Sequence, residues 1–139
     1  MPISFIYIKT ITIPKTAIDE NGHVNNVIYV QWMQDAAIRH GDATPGYKLA
    51  EGTGWYAREH RIEYLLSAFV GEELEVHTWL SEVKRVRVHR RYEFLRKADG
   101  KVVVKGETDW VYVDIKTSRP IALPAAVLEL FPAMSDSSR

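Results

Sequence analysis

The chain contains no cysteine. That excludes a disulfide scaffold, a thiolate zinc site and a cysteine nucleophile together. It also lacks any surplus of charge, with 18 basic residues against 18 acidic ones. Nucleic-acid binders carry a basic excess, so neither DNA nor RNA is the expected partner. No apolar run reaches the roughly 18 residues that read as a membrane-spanning helix. The opening MPISFIYIKTITIPK has no basic start ahead of a long apolar stretch, so it does not read as a secretory signal and the cytoplasm is the expected compartment. What is present is a chain of 139 residues, 46% apolar and 26% charged, which fits one globular domain.

Hydrophobic patterning divides the chain into one helix and a series of strands. Residues 3–13 (ISFIYIKTITI) are β-branched and aromatic, and Pro14 ends them, which predicts a strand. A polar, turn-forming stretch follows from Asp19 to His23. Asn25 or Asn26 then suits the N-cap of a helix running from Val27 to about His40. That helix confines its polar residues to a narrow stripe (Gln31, Gln34, Asp35, Arg39), so it is expected to be buried on most sides. Gly41 and the Thr44-Pro45-Gly46 turn are expected to stop it.

Strands are expected at 55–66, 72–83, 86–95 and 101–115, with turns at Gly71 and Asp99-Gly100. A short terminal helix is expected at 123–131 behind Pro124. One helix with several short-linked strands packs most economically as an α+β domain with a curved antiparallel sheet wrapped around the helix. The domain is expected to span 1–134, leaving 135–139 as a loose tail.

Common catalytic signatures are missing: no G-x-S-x-G elbow, no P-loop, no G-x-G-x-x-G. The five histidines have no metalloprotease spacing, so no metal is expected. The dense spot is Asp19-Glu20-Asn21-Gly22-His23-Val24-Asn25-Asn26. If this stretch is extended, Asp19, Asn21 and His23 project to one side. The free amides of the helix's first turn lie next to them and can hold a developing oxyanion while Asp19 or His23 handles a water or attacks. The same residues also suit a plain capped turn.

This stretch, with Tyr29 and Trp32 after it, resembles the D-x-N-x-H-V-N-N signature of hotdog-fold acyl-ACP thioesterases within the 4-hydroxybenzoyl-CoA-thioesterase-like group. Arg61-Ile62-Glu63-Tyr64-Leu65 with Gly71-Glu72 resembles the family's strand and turn after the helix, and Asp114 to Pro120 with Leu123-Pro124 its last strand. The resemblance implies a single hotdog domain of five or six antiparallel strands around the helix. It further implies a homodimer, or a homotetramer of such dimers, with the active site at the subunit interface and no cofactor.

By the same resemblance, Asp19 is the catalytic carboxylate, with Asn21, His23 and Glu59 as its catalytic companions. Asn25, Asn26, Tyr29 and Trp32 then contact substrate, the Asn26 region through a backbone N–H on the thioester carbonyl. His60 stands where the acyl-ACP enzymes of plants usually carry a cysteine, and those enzymes fuse two hotdog halves. Gly22 instead fits the D-x-x-G pattern of acyl-CoA enzymes. Acyl-CoA is therefore the expected substrate, ahead of acyl carrier protein; a non-catalytic acyl-CoA-binding module and a hotdog dehydratase are the alternatives.

Simpler readings apply to several of these residues. Glu59 and Glu63 share a strand face that suits plain exposure beside Arg58 and Arg61. Tyr29 and Trp32 lie at a spacing common in cores. The Arg85-Arg87-His89-Arg91 face suits coenzyme A phosphates or carrier-protein acids, and more simply a solvated sheet face or a subunit contact.

Overall fold

In a computed structural model, which describes residues 6–130, the chain forms six strands and two helices. Strand β1 (Ile6–Thr12) leads through a single 3-10 turn to helix α1 (Asn26–Asp42). Strands β2 (Thr53–Tyr64), β3 (Glu73–Val83), β4 (Arg87–Arg96) and β5 (Val102–Asp114) follow, and then a two-residue β6 (Arg119–Pro120) and helix α2 (Ala125–Leu130). The expected strand start at 3–5, the last residue of the terminal helix and the tail 135–139 lie outside the described residues. No described helix is long and apolar enough to cross a membrane.

The strands form one antiparallel sheet in the order β1-β3-β4-β5-β2, with β6 beside the end of β5. Register shifts at Ala57/Glu59, Leu80/Glu82 and Phe94/Leu95 mark bulges in β2, β3 and β5. Bulges bend a strand and increase its twist, and these three curve the sheet around α1. Alternation sets the faces: Leu74, Val76, Thr78 and Leu80 of β3 and Val88, Tyr92 and Phe94 of β4 are buried toward the helix. The opposite face carries ion pairs, His89 with Asp109 at 2.7 Å and Arg91 with Glu107 at 3.0 Å. Half of the basic face considered for phosphate contact is thus paired with acids of β5.

α1 is seated by Met33, which is 0% exposed, against Gly106 of β5. A Cβ on Gly106 would stand 2.9 Å from Met33 Sδ, so the Met33 side chain would have to shift to admit one. Beside this contact, Tyr29 meets the Phe94 ring edge-on at a centroid distance of 5.1 Å. The burial is one-sided. Tyr29, Met33, Ala36, His40 and Gly41 are buried, whereas Val27 is 71% and Ile38 62% exposed. The sheet of one chain therefore covers one flank of the helix and leaves Val27 and Ile38 exposed on the other, with Gln31 and Gln34 between them.

The helix also ends differently from expectation. Gly41 does not stop it but lies within its last turn, where a Cβ would stand 2.8 Å from the Tyr47 ring. Its function is close approach, and the stop comes from Thr44, whose hydroxyl donates to the His40 carbonyl at 2.7 Å.

Replacing Gly106 with Ala is expected to lower stability by about 1–3 kcal/mol through overpacking. Combining Gly106→Ala with Met33→Ala should cost clearly less than the two single changes added together, because both act on one contact. Urea unfolding of the three variants checks this.

Candidate active site

The stretch before α1 is a tight hairpin, not an extended segment. Ile18 and Val24 form an isolated antiparallel bridge, and the Asp19 N–H donates to the His23 carbonyl at 3.3 Å. Gly22 turns the corner at φ +83, a conformation that favours glycine. The Gly22 N–H closes the turn on the Asp19 carbonyl at 3.0 Å. With the chain reversed here, Asp19, Asn21 and His23 do not line up along one side as an extended strand would place them.

The hairpin instead builds a relay from Asp19 to the helix. The half-buried Asp19 carboxylate accepts from the Asn21 backbone N–H on Oδ1 at 2.8 Å and from Asn25 Nδ2 on Oδ2 at 3.1 Å. Asn25 is the N-cap: its Oδ1 accepts from the Val27 N–H at 2.8 Å. The Asn25 carbonyl takes the Ile28 N–H at 3.0 Å. One amide side chain thus fixes the helix start with its oxygen and the carboxylate with its nitrogen.

Among the described residues, the Asn26 N–H meets no hydrogen-bond acceptor. It lies at the positive end of a 17-residue helix, next to Asn25, which holds Asp19. Tyr64 of β2 anchors the same turn, donating to the Asn26 carbonyl at 3.0 Å.

The remaining sequence candidates fall elsewhere. The Asn21 side chain is exposed, and its contact with Asp19 is made by its backbone. His23 is half-buried, with Nδ1 3.3 Å from the Val24 carbonyl. Tyr29 is 2% exposed, and its hydroxyl has no hydrogen-bond partner. Burial, with a smaller contribution from Glu72, pushes its phenol up to about 12, which keeps it neutral at physiological pH. Trp32 packs edge-on to Tyr29 at 5.5 Å within the same core.

Glu59 is exposed and pairs in register with Asp109, on the sheet face away from α1. The neighbouring His60 pairs with Thr108 on the helix side, Nδ1 to Oγ1 at 2.8 Å. Within one chain, then, Asp19, Asn25 and Asn26 come together and Glu59 does not join them. Among the described residues, no group of three or more His, Asp or Glu could hold a metal ion.

A cavity of about 480 Å³ lies at the other end of α1. Its wall includes Tyr47, Trp55, Leu80, Arg90, Trp110 and Leu123. The sequence did carry a signal for it. Arg90 occupies the apolar phase of β4 between Val88 and Tyr92, where a charge is out of place.

The model of the thioesterase-like superfamily matches residues 13–131. The chain belongs to that superfamily. It is 32% identical over 116 residues to an L-carnitine dehydrogenase/betainyl-CoA thioesterase of Agrobacterium fabrum. That match covers 80% of this chain and 23% of the relative, so the chain spans about a quarter of the relative's length. Among solved structures, a DHNA-CoA thioesterase of Staphylococcus aureus superposes with a TM-score of 0.77 at 22% identity, covering 84% of this chain and 80% of that one. An acyl-ACP thioesterase of Bacteroides thetaiotaomicron gives 0.79 at 20% identity, over 94% of this chain and 55% of that one. These likenesses show the hotdog fold: one helix held in a curved antiparallel sheet.

Asn25→Ala is expected to destabilise this superfamily member by about 1 kcal/mol through loss of the cap. Asn25→Asp keeps an acceptor for Val27 but sets a second carboxylate beside Asp19. Like-charge contact raises carboxyl pKa values in the folded state, so its penalty should be absent at acid pH and grow as pH rises through the carboxylate range. Thermal unfolding of both variants between pH 3 and pH 8, near the reference carboxylate values and well above them, checks this.

Proposed function

We propose that the protein hydrolyses the thioester of an acyl-CoA to the free acid and the thiol. The observation that carries this reading is the Asp19–Asn25–Asn26 arrangement: a carboxylate held in place beside an open backbone N–H at a helix N-terminus. Membership of a thioesterase-like superfamily supports it, and the betainyl-CoA thioesterase named for the Agrobacterium relative favours coenzyme A over a carrier protein.

In this reading Asp19 acts as general base. Both of its oxygens already accept one bond, which orients the carboxylate and leaves lone pairs for a water. The water oxygen attacks the thioester carbon and its proton passes to Asp19. The carbonyl oxygen, now negative, takes the Asn26 N–H with the helix dipole behind it. Collapse of the tetrahedral intermediate breaks the C–S bond, and the thiolate recovers the proton. Asn21 acts through its backbone N–H and His23 by closing the turn.

The active unit is a pair of chains. β2 pairs only with β5 among the described strands, so its other edge is open, and the flank of α1 with Val27 and Ile38 is uncovered. An open edge and exposed apolar side chains beside it are what a second copy can cover at once. Antiparallel pairing of two β2 edges places the Tyr64 end of one strand near the Thr53 end of the other. The Asp19 site of each copy then stands beside the C-terminal end of its partner's α1. A tetramer of such dimers fits the same reading.

Asp19→Asn should leave the circular dichroism spectrum and unfolding midpoint close to wild type while lowering thiol release from acyl-CoA about 10²–10⁴-fold. Undiminished release in the variant removes Asp19 as the base, and acyl-CoA binding with no release by wild type points to the binding module instead. Ile38→Glu should shift sedimentation toward the 15.9 kDa of one chain and take activity with it. A wild-type protein that sediments at that mass contradicts the paired site.

A further inference from the structure

The cavity at the C-terminal end of α1 is mostly apolar and aromatic, with Gln34, Asp42 and Arg90 as its polar and charged wall. Arg90 is 6% exposed, yet no carboxylate pairs with it among the described residues. Its Nη1 donates to His40 Nδ1 at 3.0 Å and to Thr78 Oγ1 at 3.1 Å, both neutral acceptors. The two acceptors hold the guanidinium in place without cancelling its charge. Asp42 also lines the cavity but is exposed to solvent. By contrast, the less deeply buried Arg91 and Arg96 each have acids at 3.0–3.2 Å, so the most buried of the three is the one without a carboxylate partner.

A buried guanidinium without a counter-ion is strongly unfavourable unless something completes it. Its planar fork matches a carboxylate. The cavity volume of about 480 Å³ is in the range of small-ligand sites. We propose that this cavity takes the apolar body of a carboxylate-bearing ligand, with the ligand's carboxylate seated on Arg90.

The ligand is either a free acid or the far end of an acyl chain bound as a thioester. The second source rests on the proposed thioesterase reading. α1 is 17 residues and about 25 Å long, so cavity and Asp19 of one chain are too far apart to share one short acyl group. In the antiparallel pair, the cavity of one copy stands beside the Asp19 site of the other. The substrates selected are then ω-carboxyacyl thioesters. A quaternary ammonium group also suits Trp55, Trp110 and Tyr47, but the Arg90 charge opposes it.

The test compares ligands with and without a free carboxylate. Wild type is titrated with adipate and with the uncharged adipamide while the indole N–H signals of Trp55 and Trp110 are followed by NMR. Thiol release is measured in parallel from adipoyl-CoA, hexanoyl-CoA and betainyl-CoA, for wild type and Arg90→Met. Wild type should prefer adipoyl-CoA over hexanoyl-CoA roughly tenfold or more in kcat/KM, and Arg90→Met should erase that preference while retaining hexanoyl-CoA turnover.

Saturable shifts with adipate alone identify a free-acid site. Shifts seen only with adipoyl-CoA identify the acyl chain as the source. If no thioester is cleaved but adipate still shifts the two indoles, the thioesterase reading fails and the cavity assignment stands. Equal shifts with adipate and adipamide together with equal turnover of adipoyl-CoA and hexanoyl-CoA, or a preference for betainyl-CoA, overturns the proposal. The wild-type comparison decides this even where Arg90→Met does not fold.

Discussion

The two ends of α1 depend on how the helix is seated on the sheet, with the Met33 side chain set into the place left by Gly106 of β5. With a hydrogen at Gly106 where any other residue carries Cβ, Met33 sinks to full burial and the helix lies directly on the sheet. That depth brings Tyr29 onto Phe94 and, at the far end, His40 within 3.0 Å of Arg90. It also brings the Asn26 carbonyl to Tyr64, which ties the first turn of the helix to β2. The candidate active site and the cavity are thus the two ends of one tightly seated rod. A shift of the rod by an ångström would disturb both.

The same seating leaves the other flank of α1 bare. A helix apolar over most of its circumference cannot be satisfied by one sheet face alone, and Val27 and Ile38 carry the remainder. The open edge of β2 borders this flank and presents unpaired backbone groups beside it. Both deficits are of the kind that symmetric self-association removes in one step, since an isologous interface covers the same patch on each copy. Helix polarity then matters. In the proposed antiparallel pairing unlike ends of α1 come together, so a site that uses both a positive helix N-terminus and the cavity would be assembled across copies.

Much of this was legible in the sequence. Strand phases were readable because burial on one sheet face forces alternation, and α1 because its apolar period is unbroken for four turns. What periodicity could not supply was depth and direction. It could not say that Gly41 serves Tyr47 instead of ending the helix, since close approach and capping ask for the same residue. Nor could it show that Asp19, Asn21 and His23 sit on a reversed chain, because Gly22 allows either an extended path or a turn. Asn25 was readable as a cap but not as the donor to Asp19, a contact that depends on the hairpin folding back.

Arg90 shows how a broken pattern can carry more information than a kept one. Along β4, inward positions are Val88, Tyr92 and Phe94, and the arginine interrupts them. An interruption is unfavourable for folding: burial drags the guanidinium pKa down, and the neutral partners His40 and Thr78 compensate only in part. Natural sequences depart from local consistency chiefly at functional sites. The outer face of the same strand makes the contrast, because there His89 and Arg91 meet Asp109 and Glu107 and every expectation for a half-exposed sheet is kept. A charge that the protein leaves unanswered inside a cavity, a few ångströms from charges it answers fully outside, is a charge shaped for something other than the protein itself.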